Sequence, residues 1–145
     1  ALQGNDLPEV ELMAIRIVRL GSPRVEGEGL RLGTVRRPPR GVPKSQWASR
    51  DFYDLWLPDL APSEELLQRA RQADDERSWQ GFVKRYRAEM RRPEAVRLLQ
   101  LLAALSRQTN FAVGCYCSDE SRCHRSVLRE LLREQGAVLA GDPRA

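Results

Sequence analysis

Lysine is almost missing from this chain: of 24 basic residues, only Lys44 and Lys84 are lysines. Histidine occurs once, at His124, and cysteine three times, at Cys115, Cys117 and Cys123. Three clustered cysteines are an odd number and make no disulfide framework, so the expectation is reduced thiols and a cytoplasmic setting. No apolar run approaches the roughly 18 residues that a membrane span needs, which excludes an integral helical membrane protein. No charged-then-apolar leader is visible, so no secretory signal is expected. Neither a Walker loop nor a Gly-x-Gly-x-x-Gly fingerprint is present, which leaves ATP hydrolysis and dinucleotide binding poorly supported. No cofactor is expected. Repeats and low-complexity tracts are missing as well.

What remains is a globular composition. The 145 residues are 41% hydrophobic and 30% charged, which suits one domain and not two. Charge is blocked along the chain. Residues 12–50 carry nine bases against two acids, residues 51–76 two against eight, and residues 77–92 six against one. The basic blocks suit phosphate or the acidic block of the same or another subunit. Arginine favours bidentate contacts to phosphate or carboxylate. A genome-wide preference for arginine explains the bias equally well.

The pattern predicts a flexible tail at 1–9, one α/β domain over 10–140 and a short tail at 141–145. Residues 10–20 and Leu30–Val35 read as strands, with Gly21-Ser22-Pro23 ending the first. Arg36–Pro43 holds four prolines or glycines among its arginines and must leave regular structure. The aromatic-rich segment 45–60 reads as a short helix with irregular flanks. Helices follow from Ser63, over 76–91 and from Pro93 to about Ser106, the last apolar around most of its circumference. Thr109–Cys117 reads as a central strand. A helix from about Cys123 ends at Gly136, and Ala137–Ala140 reads as a last short strand. The expected fold is α/β: a small, mostly parallel sheet flanked by helices.

The chemistry concentrates in Cys115–Arg125, where a strand passes through a polar loop into a helix. Ligands of open α/β sheets bind at the carboxyl ends of strands, and a helix start there favours an anion. This stretch resembles domain-of-unknown-function family 488, whose hallmark is a strand ending in Cys and a helix opening in Cys-His-Arg. Cys115 and Cys123-His124-Arg125 are those residues here. Arg37-Pro38-Pro39-Arg40-Gly41 looks like the family's strand end of Arg, an aromatic and Pro-Arg-Gly. Leu60-Ala61-Pro62-Ser63 is similar to its Leu-Ala-Pro-Ser. Trp79, Phe82, Tyr86 and Glu89 match one of its helices. The resemblance spans roughly residues 14–136. It departs at Cys117, where the family usually has an acid, and at Pro38, where it often has Trp. It implies a fold and a site, not a reaction.

Four readings of the segment stand side by side. Cys115, Cys117, Cys123 and His124 form a known zinc set, but adjacent residues such as Cys123 and His124 rarely hold one ion, so no metal is expected. A cysteine at a helix start beside Arg and His is a nucleophile candidate, although the spacing to Arg122 fails the cysteine-phosphatase register. Arg37, Arg40, Arg122 and Arg125 would clamp an oxyanion if the two loops are neighbours, with His124 as acid/base and Cys115 or Cys123 as thiolate. The bland reading makes the thiols core and Arg125 a structural partner. The anion pocket is favoured, for a phosphate-containing small molecule or a nucleic acid and not a membrane. The alternatives are a non-catalytic nucleic-acid-binding module stacking bases on Trp47, Trp79 or Tyr86, and a thiol-redox or zinc-site protein with Cys115 and Cys117 as the redox pair.

Overall fold

The computed structural model describes residues 13–72 and 74–142. The expected tail at 1–9 and the last three residues of the tail at 141–145 lie outside the described residues. Four strands form one sheet: β1 (Ile15–Arg19), β2 (Leu30–Gly33), β3 (Leu55–Trp56) and β4 (Phe111–Cys115). All pairings are parallel and the spatial order is β1-β4-β2-β3. The expected α/β class and the central place of the Thr109–Cys117 strand both hold. All five residues of β4 are buried, as a strand paired on both edges and covered on both faces requires.

The described residues form four α-helices: α1 (Glu64–Arg71), α2 (Glu76–Glu89) and α3 (Pro93–Leu105) before β4, and α4 (His124–Glu134) after it. Side-chain caps start two of them. Ser63 accepts the Leu66 N–H, and Asp75 accepts the Ser78 N–H. Pro93 opens α3, where a missing N–H costs nothing. Gly136, at φ 87, closes α4 in the left-handed conformation that a helix C-cap favours. In α4 the residues Val127, Leu128, Leu131 and Leu132 form one apolar stripe, and full burial of each leucine is worth about 2 kcal/mol. They meet Ile15, Phe82, Tyr86, Leu99 and Val113 in the main core.

Among the described residues, no α-helix packs on the opposite face of the sheet. It is covered by the loops 20–29 and 41–54. The side chain of Arg31 runs into this layer and is fully buried. It donates to Glu28 from Nε at 2.8 Å and to the carbonyls of Ser22 and Asp51 from Nη1. Tyr53 lies flat over Gly33, where an added Cβ would stand 2.3 Å from the ring. Only glycine fits there.

Three expectations change. Residues 45–60 are not a helix but a 3-10 turn at Lys44–Gln46, the two-residue β3 and a second turn at Pro58–Leu60. Tyr53 and Leu60 are fully buried while Leu55 is 56% exposed, so the apolar residues share no helical face. Helix α3 is not wrapped all round: Leu101 and Leu105 are exposed. The last strand shrinks to a single parallel bridge between Leu139 and Ile15.

Candidate functional site

The strand ends of β2 and β4 lie side by side, so the loops that leave them share one edge of the sheet. Thr34 Oγ1 donates to the Gly114 carbonyl at 3.0 Å, and the Tyr116 hydroxyl donates to the Arg37 carbonyl at 2.9 Å. The start of α4 closes against the same edge. His124 Nε2 lies 2.7 Å from the Thr34 carbonyl. A carbonyl only accepts, so the proton of the neutral ring sits on Nε2 and Nδ1 keeps a free lone pair. Nδ1 faces Cys123 Sγ at 3.7 Å, and the ring meets Tyr86 edge-on. Burial pushes the His124 pKa down to about 4, against the hydrogen bond to Thr34. The imidazole is therefore neutral at pH 7.

The three cysteines converge beside it. Cys115 and Cys123 are buried and Cys117 is exposed, and all three are free. Cys115 Sγ lies 2.7 Å from Cys123 Sγ. The neighbouring thiols, Cys115 first and then Cys123, hold the Cys117 thiol well below the ordinary range, helped by the charge of Arg125. The neighbouring thiols of Cys117 and then Cys123, together with burial, push Cys115 well above it. One donor atom each from Cys115, Cys123 and His124 falls within 4.8 Å of the others.

A cavity of about 370 Å³ opens over this cluster. Cys115, Cys117 and His124 contribute to its wall, and Arg36, Arg37, Arg71 and Arg122 line it, with Glu64 as the single acid among the described residues. Cys117, Arg122 and His124 also border a neighbouring cavity of about 300 Å³. Arg36 is held in place by the carbonyls of Ala61 and Pro62. Arg37 pairs with Glu64 at the exposed mouth. Arg122 pairs with Glu76 at 3.1 Å and covers the Trp79 ring.

Of the sequence-predicted residues, Cys115, Cys123 and His124 are brought together, and Arg37 and Arg122 reach the cavity. Arg40 is exposed and does not line it. Arg125 is buried and turns instead to the Cys117 carbonyl, which accepts from Nη2 at 2.6 Å, while its Nε has no partner. Sequence reasoning missed Arg36 and Arg71 as lining residues. Arg36 sits beside the expected Arg37, whereas Arg71 ends a helix whose placement no local pattern gives. The carbonyl of Thr34 left no side-chain signal at all.

Residues 15–136 match the family model described as the active DUF488-N3 subclade. The chain belongs to the DUF488 family. No curated protein and no solved structure matches it. The DUF488 match takes in the strand ends, both loops and α4, so it covers every residue of the site. Among the described residues, no helix is long and apolar enough to cross a membrane.

Proposed function

We propose that the chain binds a phosphate-bearing ligand, a nucleotide or the end of a nucleic acid, in the cavity at the carboxyl edge of the sheet. One observation carries this reading: among the described residues, four arginines line a cavity of about 370 Å³ to which Glu64 contributes the one acid. That volume lies within the range of small-molecule sites. Guanidinium groups match phosphate oxygens in pairs, and partial enclosure keeps these contacts from being fully screened. Arg36 is pre-oriented by its two carbonyl bonds, which lowers the entropy lost on binding. The floor presents an exposed thiol and a neutral imidazole, the groups that chemistry on such a ligand would use.

The aromatic-stacking module has less support. Tyr86 is fully buried with its hydroxyl on the Leu60 carbonyl. Trp47 packs on Tyr53, and Trp79 stacks on Phe82. None of the three stands free as a platform for bases.

Titration calorimetry with adenosine 5′-monophosphate tests the proposal. One site per chain is expected, weakened about tenfold by Arg71→Ala or Arg122→Ala, as loss of one charge-assisted contact implies. Arg107→Ala, remote from the cavity, serves as the control and leaves it unchanged. Equal weakening by all three variants, or no heat with the wild type, overturns the reading.

A further inference from the structure

Cys115 and Cys123 are both buried and both free, and their sulfurs stand 2.7 Å apart. Buried thiols in a core are ordinarily packed against apolar side chains. A disulfide holds its sulfurs at about 2.05 Å, so closing this pair takes a movement of about 0.7 Å. The backbone sets up the approach. Cys115 is the last residue of β4, and its carbonyl accepts the Leu20 N–H at 2.7 Å. Cys123 is the extended residue, at φ −131 and ψ 153, that precedes α4. Its N–H donates to the Glu120 carbonyl at 3.1 Å, and its own carbonyl accepts the Ser126 N–H at 3.0 Å. These bonds fix both ends of the pair without help from the thiols.

The spacing in the sequence pairs Cys115 with Cys117 across a single residue, which is tight for a disulfide. The fold offers Cys115 a different partner, eight residues on.

A thiol sealed in an apolar core is inert. These two are not sealed. Cys115 lines the cavity of about 370 Å³, and Cys123 lines the neighbouring one of about 300 Å³. An oxidant little larger than water has a route to each sulfur. His124 adds an acceptor. Its Nε2–H is committed to the Thr34 carbonyl, and the free Nδ1 lone pair faces Cys123 Sγ at 3.7 Å. A base at that place draws on the S–H proton and makes Cys123 the better nucleophile of the two.

We propose that Cys115 and Cys123 form a redox site, a dithiol that a peroxide converts reversibly into a disulfide. The Cys123 sulfur attacks one peroxide oxygen, the O–O bond breaks, and the departing hydroxide takes the Cys123 proton and leaves as water. Cys123 is then a sulfenic acid. The Cys115 sulfur attacks the Cys123 sulfur, the S–O bond breaks, and the hydroxide leaves with the Cys115 proton as a second water. The two thiols lose two electrons and two protons in all, and one peroxide becomes two waters. An external dithiol reverses the change by thiol–disulfide exchange. Closure ties the end of β4 to the start of α4 and rings the loop 116–122 between them. The proposal stands apart from the phosphate reading, since it needs neither the arginines nor a nucleotide.

The test uses the full chain carrying Cys117→Ser, which removes the exposed thiol and leaves the pair. The protein is reduced with dithiothreitol, freed of it and treated while folded with hydrogen peroxide at about pH 8, where more of a thiol is thiolate. Thiols that remain are then labelled with iodoacetamide in denaturant and counted by intact mass. Labelling is expected to fall from two thiols to none, with the mass lower by two hydrogens and a cross-linked peptide joining Cys115 to Cys123. Dithiothreitol is expected to restore both thiols. The wild type is expected to give the same cross-link. Four results each overturn the site: both thiols still labelling after peroxide, oxygen added to either sulfur without a cross-link, a wild-type link that runs to Cys117, or a link between two chains. None of these readouts depends on nucleotide binding, so the two proposals fail separately.

Discussion

At the scale of single residues, the least replaceable polar group outside the site is Arg31. Its guanidinium is fully buried, and Glu28 neutralises it at 2.8 Å from a position that is itself 2% exposed. Removing one partner of such a pair leaves an uncompensated charge, at a cost of about 3–5 kcal/mol. Glu28→Gln is expected to lose that much stability in urea melts. Burial pushes the Glu28 pKa up, but the hydrogen bonds and charge of Arg31 outweigh it, so the carboxyl titrates below its ordinary value. A depressed carboxylate pKa contributes stability that is present above the unfolded pKa and is lost as pH falls through the folded one. The wild type should therefore lose stability in that acid window, and Glu28→Gln should flatten the loss. An equally steep acid limb in the variant would remove Glu28 from the account. The sequence marked neither residue. An arginine on a strand reads as solvent-facing, and only the loop folded over the second face of the sheet buries it.

At the scale of elements, the strands that are long and apolar were legible, and so were the helices with a clear stripe and a cap. Ser63, Asp75, Pro93 and Gly136 mark helix ends through local chemistry that needs no tertiary context. Strand β3 was not legible. It has two residues, one of them exposed, and it exists because Leu57 N–H reaches the Gly33 carbonyl and Trp56 Nε1–H reaches the Val35 carbonyl. Those contacts join residues over twenty positions apart, beyond any periodicity. Gly33 is the hinge of this arrangement, because Tyr53 crosses it directly. Gly33→Val is expected to displace Tyr53 and cost about 1–3 kcal/mol, the range for overpacking a core. Thermal melts with near-ultraviolet circular dichroism check both effects, since Tyr53 and its neighbour Trp47 report on the second core. A variant with unchanged melting and aromatic signal would contradict the packing described for this face.

At the scale of the whole molecule, the charge blocks read from the sequence pair in part with one another. Arg24 holds Asp54, Arg37 holds Glu64 and Arg122 holds Glu76, each joining a basic block or the Cys-His-Arg loop to the acidic stretch 51–76. The blocks are thus partly spent inside one chain: of the four arginines facing the cavity, Arg37 and Arg122 are in these pairs, and Arg36 is held by backbone carbonyls. The candidate site was legible as a segment, because Cys115 and Cys123-His124-Arg125 fall at a strand end and a helix start. Its division of labour was not legible. Arg125 follows His124 in sequence yet is buried against the Cys117 carbonyl, whereas Arg71, distant in sequence, faces the cavity. Helix rotation and the docking of α1 decide that, and neither is written in a local motif.

The anion cavity is the central claim, and arginine side-chain nitrogen–proton NMR tests it most directly. In a titration with adenosine 5′-monophosphate, the Nε–H signals of Arg36, Arg71 and Arg122 should shift along one saturating curve. Those of Arg107 and Arg133, which are held by the Gly136 carbonyl and by Asp142 far from the cavity, should stay in place. Shifts spread evenly over all exposed arginines, or confined to residues outside the cavity, would contradict the account.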